Sequence, residues 1–312
     1  MVIGEVTQKV GIESAWYRNS HHSSLNVQSV AAICLQWRAV LSVENPLRSI
    51  VLIADDFGLS PAVDAGILEL VENGRLSGFG CLTQLPRWFD AARTLDQMPI
   101  ETNGVQVGLH LNLSQGFGGA WHRPLPLLIS GAYAGLLPHD RIRESLRIQW
   151  DRFTQALGRA PDYVDGHQHV HQLPVVRECL LEILAQEAVQ PWVRITSPII
   201  SPKPKIKGWM IAHLGAETLR QLALRQGLET NRTFAGVYGF DQTQIGYAQL
   251  MAEWLRASPG DTVIMCHPGH FANASTDDPI APARANELGF LRSAEFGDLL
   301  YAHDCRIAMS AF

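Results

Sequence analysis

Four short stretches of the chain hold most of its chemically able side chains: Asp55-Asp56, His110, the run from Asp165 to His171, and His267. Adjacent carboxylates do not both enter a core as charges unless partners or a metal neutralise them. In an extended segment Gly108, His110 and Asn112 share one face, and Val107, Leu109 and Leu111 share the other. Asp165, His167, His169 and His171 recur at every second position, so an extended chain points all four the same way. His267 is followed by Pro268-Gly269, which stops a strand and permits a sharp turn. A carboxylate with two imidazoles suits Zn²⁺ and related divalent ions and leaves positions for water and substrate. A bound ion lowers the pKa of water and polarises a carbonyl. A spare carboxylate can take the water proton, and a histidine opposite can protonate a leaving amine. Such a kit hydrolyses amides and esters. Taken singly, each stretch also has a bland reading: a capping Asp pair, a structural strand histidine, a surface histidine cluster and a turn histidine.

The elements that must carry these residues follow from periodicity. Ile50 to Ala54 is an unbroken apolar run, the mark of a strand covered on both faces. Ser60 reads as a helix N-cap with Pro61 in the first turn, Val63, Ile67, Leu70 and Val71 form one face, and Gly74 ends it. A second strand fits Gly104 to Leu113. Ile142, Leu146, Trp150, Phe153 and Leu157 mark a helix closed by Gly158. Tyr163-Val164 leads a strand into Asp165, Pro174 opens a helix along Val176, Leu180, Ile183 and Leu184, and Trp192 to Ile195 is a short strand. Helices are predicted over Trp209 to Arg225, Thr243 to Ala257 and Ser293 to Ala302, with strands Thr262 to Cys266 and Arg306 to Met309. This alternation predicts an α/β fold: a single-domain distorted (β/α) barrel with parallel strands. In such a sheet the carboxyl ends of the strands meet at one face, so the four stretches converge there. Ser114 to Pro138, which holds Gly116, Gly118 and Gly119 and three prolines, reads as a long irregular loop and a lid.

The 312 residues carry a net charge of −5, and no Lys/Arg run marks a nucleic-acid footprint. The five cysteines lack metal-type spacing and read as reduced, buried thiols of a cytoplasmic protein. No stretch reads as a membrane span or a signal peptide. Residues 1–48 have weak periodicity and read as a poorly ordered N-terminal extension, so a chain begun near Pro46 is expected to fold and keep its activity.

Taken together, Ala54-Asp55-Asp56-Phe57-Gly58, Gly108-Leu109-His110-Leu111, Asp165 to His171 and Cys266-His267-Pro268-Gly269 resemble, in order, the four motifs of the YdjC-like carbohydrate deacetylases of ChbG and HpnK type. The resemblance runs from about Ser49 to the C-terminus. It implies removal of the acetyl group from an N-acetylated mono- or oligosaccharide, free or lipid-linked, with one divalent ion, Mg²⁺ or Zn²⁺, and it leaves room for a homodimer. By motif position it gives Asp56, His110 and His167 to the metal, Asp55 the role of base and His267 that of acid. Arg194 resembles a family arginine near the active site, but Ile195-Thr196-Ser197-Pro198 follow where a second arginine is expected. Phe117 and Trp121 sit on the lid as candidate substrate contacts, and one of them is expected to pack on a sugar ring. Two other readings compete: a non-haem iron redox enzyme built on the same two-histidine, one-carboxylate set, and a sugar-binding protein without catalysis. The alternating β/α pattern and the base–acid pair favour the hydrolase.

Overall fold

β1 (Arg48–Phe57) is the strand on which the sheet is built. A computed structural model describes residues 47–98, 100, 102–117, 121–198, 200, 214–271 and 278–309. β1 pairs with β2 (Gly78–Cys81), β7 (Thr262–Cys266) and β8 (Cys305–Ile307), all in parallel. β3 (Gln106–Leu111), β4 (Tyr163–Gly166) and β5 (Trp192–Val193) extend the sheet beyond β2, and β6 (Thr233–Ala235) extends it beyond β7. The order is β5-β4-β3-β2-β1-β7-β6, with β8 on the first residues of β1. The two edges meet at a bridge, Val193 with Thr230, where the Val193 amide donates to the Glu229 carbonyl. There the Asn231 side chain exchanges hydrogen bonds with the Ile195 backbone at 2.7 and 2.8 Å. The Phe234 amide also donates to the Pro198 carbonyl and the Ile200 amide to that of Phe234, and the result is the expected α/β architecture, a barrel of parallel strands.

The helices are α1 (Pro61–Glu72), α2 (Trp88–Leu95), α3 (Leu125–Tyr133), α4 (His139–Leu157), α5 (Val176–Leu184), α6 (Ala216–Arg225), α7 (Gln244–Ala257), α8 (Ala281–Leu291) and α9 (Ala294–Ala302). Ser60 caps α1 by accepting from the Val63 amide, and Gly158 closes α4 in the left-handed region at φ 66°, both as the sequence predicts. Along β1, Ile50, Leu52 and Ala54 join the large core against the helices. Val51 and Ile53 join Tyr163, Trp192, Phe234, Val263 and Met265 in a second cluster. Two-residue alternation therefore carries Asp55 onto the face of that second cluster.

Several expectations need correction. The first strand begins at Arg48, inside the span assigned to the extension. Its guanidinium donates to the carbonyls of Ser258 and His303, and its amide to that of Asp304. The rest of the extension, and the start of the helix predicted from Trp209, lie outside the described residues. The segment read as an irregular loop contains α3, whose first turn holds Pro126 and whose inner residues Leu128 and Ala132 are buried. β2 escapes a periodicity reading because two of its four residues are glycine. A Cβ at Gly78 would meet the Gln106 carbonyl oxygen at 2.5 Å, and one at Gly80 the Cβ of His110 at 3.1 Å. β2 is thus glycine-rich because β3 and its histidine approach it closely. β6 and α8 are also absent from the sequence reading. Four of the cysteines, Cys81, Cys179, Cys266 and Cys305, are free and buried, as expected.

Candidate active site

β1 delivers two carboxylates to one place, which regular alternation cannot do. Asp56 has φ 75°, and the β1–β2 register shifts between Ala54 and Phe57. A left-handed non-glycine residue costs on the order of 1–3 kcal/mol and persists only where its surroundings fix it. Here the fixing contacts are ionic. Asp56 Oδ1 accepts from His167 Nδ1 at 2.9 Å and lies 3.5 Å from His110 Nε2, while Oδ2 accepts from Arg284 Nη2 at 2.7 Å. Burial alone would raise the Asp56 pKa, but Arg284, His167 and His110 hold it well below the usual carboxylate range.

Donor atoms of Asp56, His110 and His167 lie within 4.8 Å of one another, so the structure brings together the three residues expected to hold a metal. The donor set fits a divalent cation. His110 Nδ1 donates to Asp165 Oδ1 at 2.6 Å, which turns Nε2 toward Asp56, where a cation could take the place of its proton. Burial would lower the His110 pKa, yet the Asp165 and Asp55 carboxylates lift it to about 10. Carboxylates that favour a proton there favour any cation there. His167 Nε2 is buried without a protein partner. A second cluster, Asp55, His110 and Asp165, is equally tight. A guanidinium already serves as its cation: Arg194 bonds Asp55 in a bidentate pair at 2.8 Å on both oxygens and reaches Asp165 Oδ2 at 2.7 Å.

Arg194 is 0% exposed and lies beneath the carboxylates, not among the residues lining the cavity. Both terminal nitrogens of this residue, expected to bind substrate, are engaged by Asp55 and Asp165. Asp55 feels burial pushing its pKa up, but Arg194, His110 and His267 bring it well below the usual carboxylate range. His267 stands across from it, with Nε2 3.8 Å from Asp55 Oδ2 and its ring edge-on to Phe240 at 5.0 Å. Burial drives the His267 pKa down to about 4, against the pull of Asp55 and Asp56.

The histidine run does not continue as a strand. β4 ends at Gly166, and a tight 3₁₀ turn over His167–Gln172 puts Gln168 and His169 in the left-handed region at φ 53° and 60°. The four residues read as one face are therefore dealt to four places. Asp165 sits under His110, and His167 meets Asp56. His169 lines the cavity against Phe234, and His171 Nε2 donates back to the Arg194 carbonyl at 2.8 Å.

Above this floor lies a cavity of about 710 Å³. Phe117 lines it, together with Leu125 and Ile129 of α3. Trp121 is not among its lining residues; the ring packs on the core beneath the Arg123 guanidinium. Sequence reasoning missed Arg284 and Glu287, both on α8. Glu287 accepts from the His267 amide at 2.5 Å and from the Tyr238 hydroxyl at 2.5 Å. Burial raises its pKa to about 7 despite those bonds. The available signal was Pro282 in a first turn with charges three residues apart.

Residues 49–302 match the family model described as YdjC-like protein. The chain is 28% identical over 266 residues to a chitooligosaccharide deacetylase of Yersinia enterocolitica, covering 79% of this chain and 91% of that protein. It is 35% identical over 159 residues to a carbohydrate deacetylase of Mus musculus, covering 46% and 50%. The crystal structure of an Enterococcus faecalis protein superposes with a TM-score of 0.61 at 20% identity, over 85% of this chain and 97% of that one, which bears on the fold. The motif-bearing strand ends all fall inside the matched span, and the chain belongs to the YdjC-like family.

Proposed function

We propose that the protein is a carbohydrate deacetylase: a metal-dependent hydrolase that cleaves the amide of an N-acetylated sugar to acetate and the free amine. The observation that carries this reading is the facing arrangement of Asp56, His110 and His167 on one side and Asp55 and His267 on the other, at the floor of one cavity. The deacetylase names of the Yersinia and mouse relatives support it.

In this reading Asp56, His110 and His167 would hold one divalent ion, Mg²⁺ or Zn²⁺. Bound there, the ion supplies a polarised acetyl carbonyl and a water of lowered pKa. Asp55 takes the proton of the attacking water. Arg194 fixes the Asp55 carboxylate by its two-point grip and keeps it ionised for that task. His267 starts as a neutral imidazole at neutral pH, since its pKa lies near 4. It becomes an acid only by receiving a proton, and Asp55 Oδ2 at 3.8 Å is the group placed to give one. The imidazolium then protonates the departing nitrogen as the C–N bond breaks.

The finer reading is a lipid-linked N-acetylated sugar. Most of the cavity lining is apolar, with Leu59, Leu85, Leu125, Ile129, Leu214, Val237 and Ile280 alongside the polar Ser60, Gln115, Gln168 and Asp278. Sugar hydroxyls pressed against the apolar side chains would lose water without gaining partners, whereas a hydrocarbon portion gains by burial there. The reading also treats residues 49–312 as the catalytic domain, residues 1–48 as an extension, and the cytoplasm as the compartment that keeps the buried thiols reduced.

The test pairs acetate release with metal content. N-acetylated sugars, free and lipid-linked, are offered with Zn²⁺, Mg²⁺, Mn²⁺ and Co²⁺. Asp56→Asn, His110→Ala and His167→Ala should lose ion and activity together. Asp55→Asn should keep the ion and lose roughly 10²–10⁴-fold in rate. Loss of ion by Asp55→Asn with retention by Asp56→Asn would reverse the assignment. Failure to release acetate from any acetylated sugar would remove the function.

A further inference from the structure

α8 buries two opposite charges one helical turn apart, and each is tied to a different side of the proposed chemistry. Arg284 is 3% exposed and Glu287 0%. Arg284 spends Nη2 on Asp56 Oδ2 and Nε on Asp278 Oδ2, both at 2.7 Å. Glu287 spends Oε2 on the backbone amide of His267 and Oε1 on Tyr238, and Oε1 lies 3.9 Å from His267 Nδ1. The turn after His267 is held against the same helix, since the Gly269 amide donates to the Arg284 carbonyl at 3.3 Å.

These contacts exceed what packing asks of a helix. An arginine and a glutamate buried at i and i+3 ordinarily pair with each other. Here each is committed elsewhere. The Arg284 fork takes one oxygen of Asp56 and leaves the other for His110 and His167, so it decides how that carboxylate is presented. Freed of it, the carboxyl group could rotate and offer both oxygens. Glu287 grips the backbone of His267 and so sets where the imidazole stands relative to Asp55.

We propose that α8 is the positioning helix of the reaction, with Arg284 orienting Asp56 and Glu287 orienting His267. The inference rests on the deacetylase reading above. Neither residue is a catalytic group, because each acts through another side chain or its backbone.

The two ends separate in experiment. Arg284→Gln removes a positive charge beside the proposed metal position, so Zn²⁺ titrated calorimetrically into the metal-free protein should bind about tenfold or more tightly, while kcat for acetate release falls. Arg284→Lys keeps the charge but not the fork. Its Zn²⁺ affinity should stay near that of the parent while kcat still falls. Glu287→Gln keeps an acceptor for Tyr238 and loses the one for the His267 amide. Its Zn²⁺ affinity should be unchanged, and kcat/KM should drop about tenfold or more for the amide but little for 4-nitrophenyl acetate, whose leaving group needs no proton.

Calorimetry and the ester assay need no acetylated sugar, so they report on α8 even if the deacetylase reading fails. Unchanged Zn²⁺ affinity in Arg284→Gln overturns the Arg284 half, and so does full activity in Arg284→Lys. Equal losses on amide and ester in Glu287→Gln overturn the Glu287 half. If Arg284→Gln does not fold, Arg284→Lys alone decides, and full turnover in it sinks the proposal.

Discussion

The floor of the cavity and its wall are built on opposite principles. The floor packs Asp55, Asp56, Asp165, His110, Arg194 and Arg284 together, all buried and joined by ion pairs and hydrogen bonds. The wall is apolar, and part of it is α3, which faces the cavity through Leu125 and Ile129 and leaves Leu127 59% exposed. The difference divides the labour. A buried charge network is rigid, since displacing any member strands the rest, and rigidity suits groups that must hold a reacting bond. An apolar wall has no directional bonds to lose, so it selects by shape and area and tolerates change. Substitutions in the floor should therefore be paid in stability and rate, and substitutions in the wall in substrate preference.

The largest effect falls on the centre of the floor. Arg194→Met deletes the cation shared by Asp55 and Asp165 and strands two buried carboxylates. Breaking a buried pair from one side costs about 3–5 kcal/mol, which for a domain of this size lowers Tm by on the order of 10 °C. Differential scanning calorimetry reads it. A shift of about 2 °C or less would mean that the network is looser than its geometry and that floor and wall differ less than argued.

The wall should respond in kind and not in stability. Ile129→Asn sets an amide where a hydrocarbon portion is proposed to lie. It should cut kcat/KM for a lipid-linked substrate by roughly tenfold or more, with metal content and turnover of 4-nitrophenyl acetate unchanged. Phe117→Ala should act in the same direction, and Trp121→Ala should leave kinetics alone, because only the first of these rings lines the cavity. An equal loss on free and lipid-linked sugars would sharpen the comparison differently, by making α3 a cover for the sugar itself.

What was legible in the sequence follows the same division. β1, β3, β4 and β7 announced themselves by apolar runs ending in Asp or His, because a parallel sheet buries both faces of a strand and collects its polar ends at one edge. α1 and α4 were legible through a serine cap and a glycine stop. The parts that were not legible depend on departures from regular backbone or on charge used as core. The left-handed φ of Asp56 and the turn at Gln168 and His169 have no periodic signature, so the histidine run looked like one face. α8 hides because its buried side holds Arg284 and Glu287 beside Ala283 and Leu288, which blurs an apolar stripe. The burial of Arg194 beneath Asp55 and Asp165 was not legible, because arginine is rarely buried whole. α3 looked like a loop because glycine and proline punctuate an uncharged run.

The smallest effect concerns how the floor carries its histidines through pH. His171 is fully buried, and burial pushes its pKa down to about 4 from a reference near 6.5, as it does for His267. The neutral ring donates from Nε2 to the Arg194 carbonyl, so protonating it adds a cation beside a guanidinium. Between pH 6.5 and 4 the unfolded chain binds protons that these two imidazoles refuse in the folded state, so their share of stability falls as pH falls through that window and is spent below it. Each imidazole can contribute up to about 3 kcal/mol to that fall. Glu287 opposes it. Its folded pKa is raised to about 7 from 4.5, so the folded state binds the extra proton, and its share of stability is lost as pH rises from 4.5 through 7. His171→Asn keeps a donor for the carbonyl and removes one titration. It should flatten the acid limb of a stability–pH curve measured by urea unfolding, whereas Ile129→Asn, which changes no titrating group, should leave that limb as it is. An acid limb in His171→Asn as steep as in the parent would mean that the ring is protonated in the folded state, and that the floor accommodates charge more freely than its contacts imply.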